Sequence, residues 1–188
     1  AFTDAHRTTV MLAFTDGPHT LVVDCGGDVV HRLMAAGVDP DTIEAMVVTH
    51  EHPDHVAGFP LFMEKIWLAG RRRPIAVYGI RAAIDQARRC FEVFDTSRWT
   101  GLPEVAWHEV SHEEGASVLE DERWRVTAAP GKHSVPVVGL HGLEWPGEPE
   151  APRHAKLVPR GSSKATKGTA DMLSPSPVPG RHGWVRYC

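Results

Sequence analysis

The sequence predicts an α/β domain in which short apolar strands alternate with amphipathic helices. Apolar, β-branched runs such as residues 19–24 and 45–49 are typical of buried strands. Residues 28–36 and 80–91 instead repeat their apolar side chains at helical spacing. With 188 residues, 42% hydrophobic content and 23% charge, the chain has the size and composition of a globular domain that can bury a core.

The first part of the chain predicts a hairpin followed by a helix. Residues 8–14 and 19–24 are its two strands, because Asp16-Gly17 between two apolar runs favours a tight turn. The first helix is expected at 28–36. A short capped turn at 39–44 then leads into the next strand.

The middle of the chain predicts a second helix and three further strands. Residues 56–68 favour a helix that begins at or near His55. Its apolar side chains are expected in the core, namely Phe59, Leu61, Phe62, Met63, Ile66, Trp67 and Leu68. Three arginines at 71–73 are interpreted as a solvated face, with phosphate binding as the alternative. The strands are expected at 75–79, 105–110 and 123–128.

The strongest chemical signal is a cluster of potential metal ligands directly after the strand at 45–49. His50, His52, Asp54 and His55 fall within six positions. Imidazoles suit zinc, and a carboxylate beside them suits a second, harder ion. These donors exceed what one catalytic ion needs from a single loop, so we interpret them as shared between two metals. The alternatives are a histidine-rich surface loop and a closed structural zinc site, although the latter usually uses thiolates and no cysteine is close in sequence.

Residues 49–58 resemble the His-x-His-x-Asp-His signature of the metallo-β-lactamase-fold hydrolases. The upstream segment 20–27 resembles the strand that ends in Asp and Gly before the first helix of that family. The downstream segment 130–140 resembles the segment that delivers a further histidine, and it is most like the branch containing ribonuclease Z and related phosphodiesterases. The resemblance covers about residues 1–140. It implies an αββα sandwich, of which this chain carries the N-terminal half.

The resemblance also implies a division of the ligands. His50, His52 and His133 would form the first metal site, while Asp54 and His55 would begin the second. Asp54 is in addition expected to take part in catalysis. The ions are expected to be two divalent cations, with zinc preferred and manganese or iron as alternatives.

Two further residues receive a role from the same resemblance. Asp24 would orient the ligand loop rather than bind metal. A lone histidine beside a strand is more often a core or surface residue, and His133 is interpreted as a ligand because it follows Pro130-Gly131 at the end of an apolar strand in the matching segment. Cys25, next to Asp24, is expected to be a buried structural cysteine. His108 and His112 are expected to be a strand-face residue and a loop residue, respectively.

Two divalent ions about 3.5–4 Å apart share a water, lower its pKa and present hydroxide as a nucleophile. The resemblance favours phosphodiester substrates, with thioesters, lactones and β-lactams as alternatives. RNA is a weaker expectation, because residues 91–121 contain no long Gly/Pro-rich insertion of the kind that grips tRNA in the ribonuclease Z group. The net charge of −4 argues against a dedicated nucleic-acid binder. No apolar run approaches a membrane span, and three cysteines at unrelated spacings favour a reducing cytoplasm.

Composition changes near residue 140. Residues 141–188 carry 7 Lys and Arg against 4 Asp and Glu, and they contain 7 of the 15 prolines. This segment is predicted to be an irregular tail, separate from a partial domain at 1–140. Asp171 and His182, late in this segment, are its candidates for ligands of a second metal site. A truncated or frameshifted remnant and a homodimer therefore remain alternatives, and we predict little or no activity for the 188-residue chain alone.

Overall fold

The computed structural model describes residues 10–144, which form a five-stranded sheet, a three-stranded sheet and four α-helices. The first sheet contains β1 (Leu12–Asp16), β2 (His19–Val23), β3 (Ile43–Val48), β4 (Ile75–Gly79) and β5 (Val105–Glu109). The second contains β6 (Ser117–Glu120), β7 (Arg125–Pro130) and β8 (Val138–Glu144). The helices are α1 (Val29–Ala35), α2 (Pro53–Val56), α3 (Phe59–Leu68) and α4 (Arg81–Glu92), and a 3-10 turn spans Pro40–Thr42. None of these helices is long and apolar enough to cross a membrane.

The first sheet has the order β1-β2-β3-β4-β5, and all its neighbouring strands are parallel except the β1–β2 hairpin. The second sheet is antiparallel throughout. In parallel strands the carboxyl ends meet at one edge. Val23 at the end of β2 is paired with Val47 of β3, so the residues that follow these two strands lie side by side at that edge.

The first sheet lies between helices and the second sheet. A Cβ atom at Gly79 of β4 would lie in van der Waals contact with Ala83 and Ile84 of α4, both at 3.5 Å. On the other side, the indole nitrogen Nε1 of Trp124 donates a hydrogen bond to Oε2 of Glu44 in β3 over 3.1 Å. Buried apolar side chains of both sheets and the helices form one continuous core. The second sheet is therefore fixed against the first, which decides where the β7–β8 loop can reach.

The predicted hairpin and first helix are present. Asp16 pairs with His19 across a two-residue turn, in which Gly17 takes a positive φ of 54°. Asp28 caps α1 by accepting a hydrogen bond from the His31 backbone N–H at 3.1 Å. The capped turn before β3 is also confirmed, since Asp39 caps the 3-10 turn.

The single helix predicted at 56–68 is wrong in its first part, because the structure has two helices there. The break lies at Gly58, where a Cβ atom would be only 2.2 Å from the carbonyl oxygen of Gly27 and 2.4 Å from that of Cys25. The backbone N–H of Gly58 donates to the Cys25 carbonyl over 2.7 Å. The close approach ties the loop after β2 to the segment that carries the metal ligands.

The predicted core of α3 is correct for four side chains and wrong for two, and the seventh, Trp67, is half-buried. Phe59, Phe62, Met63 and Ile66 are buried, and they recur at the spacing of one helix face. Leu61 is 38% exposed and Leu68 is 67% exposed. Both lie roughly half a turn away from Phe59 around the helix, so they fall on its solvent side.

Neither interpretation of the arginines at 71–73 describes Arg71. This residue is buried, and its guanidinium donates to the carbonyl oxygens of Ile43 at 2.7 Å and Pro74 at 2.8 Å. Burial and the neighbouring Arg73 lower the pKa of Arg71 to about 10, which still leaves it charged at neutral pH. Arg71 thus ties the start of β3 to the start of β4 and has no free face for a phosphate.

The second sheet extends the ordered structure beyond the predicted boundary. Strand β6 was not predicted, and β8 continues to Glu144, four residues past residue 140. Glu144 pairs with Arg125 of β7. The predicted tail from 145 onward, with Asp171 and His182, and residues 8 and 9 of the predicted first strand lie outside the described residues.

Candidate metal centre

Three imidazoles converge at the edge where the parallel strands end. Nε2 of His133 lies 3.1 Å from Nε2 of His50 and 3.1 Å from Nδ1 of His52. The ligand atoms of the three residues all lie within 4.8 Å of one another. His50 follows β3 by two positions, and His52 stands at the start of α2. Two of the three imidazoles are therefore held directly after the buried strand β3.

The donor set fits a metal ion better than it fits hydrogen bonding alone. A ring nitrogen carries either one proton or one lone pair, so Nε2 of His133 cannot form good hydrogen bonds to both neighbours at once. In a tetrahedral zinc site with Zn–N bonds of about 2.0–2.1 Å, the nitrogen atoms are separated by about 3.3 Å. The two observed separations of 3.1 Å are close to this value. The three side chains can supply one ion with three nitrogen ligands.

The electrostatics of His50 favour the neutral imidazole that a metal requires. His50 is buried, and burial together with the neighbouring imidazoles of His55, His133 and His52 lowers its pKa to about 4. At neutral pH its ring therefore keeps a free lone pair. His52 is half-buried and His133 is exposed. The cluster is consequently open to solvent on one side, as a catalytic site needs and a closed structural site does not.

Asp54 and His55 lie beside the three imidazoles. Oδ2 of Asp54 is 3.8 Å from Nε2 of His55, and the ring centre of His55 is 4.0 Å from that of His50. The short helix α2 produces this proximity. Pro53 occupies its first turn, and the backbone N–H of His55 donates to the His52 carbonyl over 2.9 Å. This turn places the ring of His55 next to that of His50.

Asp24 lies in the core next to the centre and contacts Thr49 and His55, not the three converging nitrogens. It is fully buried and takes a positive φ of 62°, a conformation that Asp adopts more readily than most residues. Its carboxylate accepts hydrogen bonds from the Thr49 backbone N–H at 2.8 Å and from Nδ1 of His55 at 2.7 Å. Burial raises the pKa of Asp24, while the hydrogen bonds from His55 and Thr49 oppose that rise.

His133 reaches the cluster on the loop between β7 and β8. The Val138 backbone N–H donates to the Thr49 carbonyl over 3.1 Å, which anchors the start of β8 beside the end of β3. Within the loop, the Gly131 N–H donates to the Val137 carbonyl over 3.2 Å. The residues before and after the loop are thus held together, and His133 projects towards His50 across 83 positions of sequence.

Thr49 was missed by the sequence interpretation, which treated it only as the last residue of a strand. It is 1% exposed and contacts Asp24, His50 and His55 through its hydroxyl. The only signal in the sequence was its place between a buried strand and the first histidine.

The remaining candidates lie apart from the cluster. Cys25 is fully buried, as expected, and burial raises the pKa of its thiol well above the usual value. His108 stacks on Tyr78 of the neighbouring strand at a centroid distance of 4.5 Å, and His112 is exposed in a loop. None of these three belongs to the group that could hold the ion.

Curated relatives of the chain include ribonucleases. Over 130 residues it is 28% identical to ribonuclease Z of Methanothermobacter thermautotrophicus, a match that spans 69% of this chain and 40% of the relative. Over 159 residues it is 32% identical to ribonuclease BN of an Enterobacter species, with 82% of this chain and 45% of the relative covered. The chain thus spans less than half the length of these relatives.

Solved structures show the same fold. Human tRNase Z, short form, superposes with a TM-score of 0.63 at 22% identity, over 75% of this chain and 59% of that one. The Bacillus subtilis metallo-beta-lactamase fold protein YhfI gives a TM-score of 0.55 at 20% identity, over 74% and 52%. The predicted α/β fold class is confirmed. Residues 4–144 match the model of the metallo-beta-lactamase superfamily, and the chain therefore belongs to that superfamily.

Proposed function

We propose that this protein is a metal-dependent hydrolase that acts on phosphodiesters. The observation that carries the proposal is the convergence of His50, His52 and His133 beside Asp54 and His55, at an edge of the sheet that is open to solvent. The similarity to proteins named ribonuclease Z and ribonuclease BN favours phosphodiesters over the thioesters, lactones and β-lactams that the fold class alone would allow.

The roles of the residues follow from their positions. His50, His52 and His133 would hold the first ion, and Asp54 with His55 would supply ligands to the second. Zinc is the preferred ion because imidazole nitrogens dominate the donor set, with manganese or iron as alternatives. Divalent ions at such a centre supply an activated water and electrophilic assistance to the phosphoryl group.

Asp54 is assigned a second role, in orienting the attacking water. Its carboxylate is 32% exposed, in contrast to the buried Asp24 carboxylate, so it is accessible from the solvent side of the site. Oδ2 of Asp54, the oxygen nearest His55, can accept a hydrogen bond from that water and hold it in place. Asp24 would orient His55 and the ligand loop from within the core.

A one-metal binding module is the second candidate, and one observation favours it. Among the described residues, three nitrogens converge at the first position, whereas only Asp54 and His55 serve the second. A catalytic zinc site usually has three protein ligands. Metal stoichiometry separates the two functions, since two retained ions per chain support the hydrolase and one or none supports the binding module.

The test compares the 188-residue chain with His52→Ala and with His112→Ala, in which an exposed loop histidine is removed as a matched control. Zinc content is measured by inductively coupled plasma spectrometry, and hydrolysis of bis(p-nitrophenyl) phosphate is followed with added zinc or manganese. We expect the wild type and His112→Ala to bind zinc and to show weak turnover that rises with added metal, and we expect His52→Ala to lose both. Unchanged zinc content in His52→Ala would overturn the ligand assignment. Two bound ions with no turnover would overturn the phosphodiesterase activity.

RNA as the weaker substrate candidate and a cytoplasmic location are further parts of the proposal, and a homodimer is an alternative to a monomer. The names of the ribonuclease relatives support RNA. Two cysteines of the described residues, Cys25 and Cys90, are unpaired thiols, which is compatible with a reducing compartment. Sedimentation analysis would test the dimer.

A further inference from the structure

The hydroxyl of Thr49 lies between a buried carboxylate and one of the candidate ligands. Its Oγ1 is 3.0 Å from both Oδ1 and Oδ2 of Asp24 and 2.9 Å from Nδ1 of His50. Thr49 is 1% exposed and His50 is 3% exposed. At this burial the ring nitrogen Nδ1 of His50 depends on a protein group for its hydrogen bond, and Thr49 supplies it.

The direction of each hydrogen bond follows from counting protons around Asp24. The hydrogen bonds from His55 and Thr49 favour the ionised form of the Asp24 carboxylate against the effect of burial. An ionised carboxylate only accepts, so every group facing it donates. The Thr49 backbone N–H donates to Oδ1 over 2.8 Å, and the Nδ1–H of His55 donates to Oδ2 over 2.7 Å. The Thr49 hydroxyl has one proton, which goes to the same carboxylate. The lone pair on its oxygen is then available, and it accepts a hydrogen bond from the Nδ1–H of His50.

We propose that Thr49 is a positioning residue, whose hydroxyl connects Asp24 to His50 and fixes His50 in the tautomer that leaves Nε2 free for a metal ion. The proposal rests on the metal site of the proposed function. It gives Asp24 two routes to the centre, one directly to His55 and one through Thr49 to His50. A single buried carboxylate thus sets the tautomer of a ligand at each of the two metal positions.

A purely structural role for Thr49 makes a different prediction. If the hydroxyl only satisfied Asp24, its removal would reduce stability and leave the tautomer of His50 unchanged. If it positions His50, removal also leaves Nδ1 of His50 without an acceptor in the core. No hydrogen bond then favours the proton on Nδ1, so the Nε2–H tautomer becomes populated. This tautomer has no lone pair on Nε2 with which to bind the ion.

The experiment uses Thr49→Val, which removes the hydroxyl at nearly constant shape, and Thr49→Ser, which retains it. Thr20→Val is the matched control, because Thr20 is a buried threonine that pairs with the hydroxyl of Thr42 away from the site. Long-range 15N NMR reads the tautomer of His50 in the metal-free chain, and competition with a chelator measures zinc affinity. We expect wild type and Thr49→Ser to show the Nδ1–H form. We expect Thr49→Val to lose it and to bind zinc roughly 10–100-fold more weakly.

The two readouts separate this proposal from the proposed function. If the wild-type chain binds no zinc, the proposed metal site is refuted. The tautomer of His50 in the metal-free chain still tests the role of Thr49. A wild-type His50 in the Nε2–H form would overturn the proposal, whether or not Thr49→Val folds. Zinc affinity in a folded Thr49→Val equal to that of Thr20→Val would overturn it too.

Discussion

Nδ1 of His55 lies 2.7 Å from Oδ2 of Asp24, and this contact joins the end of β2 to the helix that carries the metal ligands. Asp24 is fully buried, and the side chain of His55 is 11% exposed. The same two segments are joined by a backbone hydrogen bond of 2.7 Å from the Cys25 N–H to the His55 carbonyl. The position of His55 is therefore set by contacts from the core.

Asp24→Asn should impair metal binding more than folding. Asparagine tolerates the positive φ of 62° at this position, so the backbone is preserved. The amide, however, has only one acceptor oxygen for the donors of Thr49 and His55, and a buried donor left unpaired costs about 1–3 kcal/mol. We expect lower zinc affinity in chelator competition and a moderate loss in urea unfolding. Asp95→Asn, at a fully exposed site, is the control and should change neither.

Gly58→Ala should destabilise the chain by about 3 kcal/mol or more, because the new Cβ would lie 2.2 Å from the Gly27 carbonyl oxygen. Gly70→Ala is the useful comparison, since Gly70 has a positive φ of 97° but open space around it. That variant should cost only the strain of the left-handed conformation, about 1–2 kcal/mol. Equal losses for the two variants in urea unfolding would mean that the contact at Gly58 relaxes easily.

The sequence could predict elements that have a local pattern, but not contacts such as the one at Gly58. Strands β2 to β5 and helices α1 and α4 were predicted because each has a local apolar period. The break at Gly58 and the buried Arg71 depend on segments far away in the chain, the loop after β2 in one case and the Ile43 carbonyl in the other. No local pattern contains that information.

The same distinction applies to the metal centre. His50, His52, Asp54 and His55 were recognisable because they are adjacent in sequence, and a turn after a strand brings adjacent residues together. His133 required a resemblance to a known family, since 83 positions separate it from His50. Thr49 had no such signal, because its role arises only where β2 and β3 lie side by side.

The ion pair between Lys65 and Asp28 should make stability fall at acidic pH. Partial burial raises the pKa of Asp28, but the hydrogen bonds from Lys65 and the His31 backbone outweigh it, and the net pKa lies below the usual 3.8. A group whose folded pKa is depressed contributes stability that is present above pH 3.8 and is lost as the pH falls through the folded pKa. We expect this contribution to decline progressively as the pH falls below about 4.

Asp28→Asn tests the assignment, because asparagine retains the helix cap while removing the titrating charge. Urea unfolding at a series of pH values from 3 to about 6 should show a shallower acid slope in the variant than in wild type. Lys65→Met should flatten the slope in the same way. Identical slopes in all three proteins would show that the pair does not contribute.

The last prediction concerns the second metal position and the activity of the 188-residue chain. Among the described residues, Asp54 and His55 are the two side chains placed for a second ion, fewer than the three protein ligands typical of a catalytic zinc site. We therefore expect the first equivalent of zinc to bind tightly and the second weakly. Hydrolysis of bis(p-nitrophenyl) phosphate should be weak at one equivalent, and it should rise with excess zinc or manganese.

Asp54→Ala distinguishes the possible outcomes of this titration. The variant should retain the first equivalent, which the three histidines hold, and lose the response to excess metal. Robust turnover by wild type at two equivalents, abolished in Asp54→Ala, would contradict the prediction of weak activity. It would mean that residues beyond 10–144 or a second copy of the chain complete the second site. Sedimentation with and without zinc would then separate these two sources, because only the second copy makes turnover depend on association.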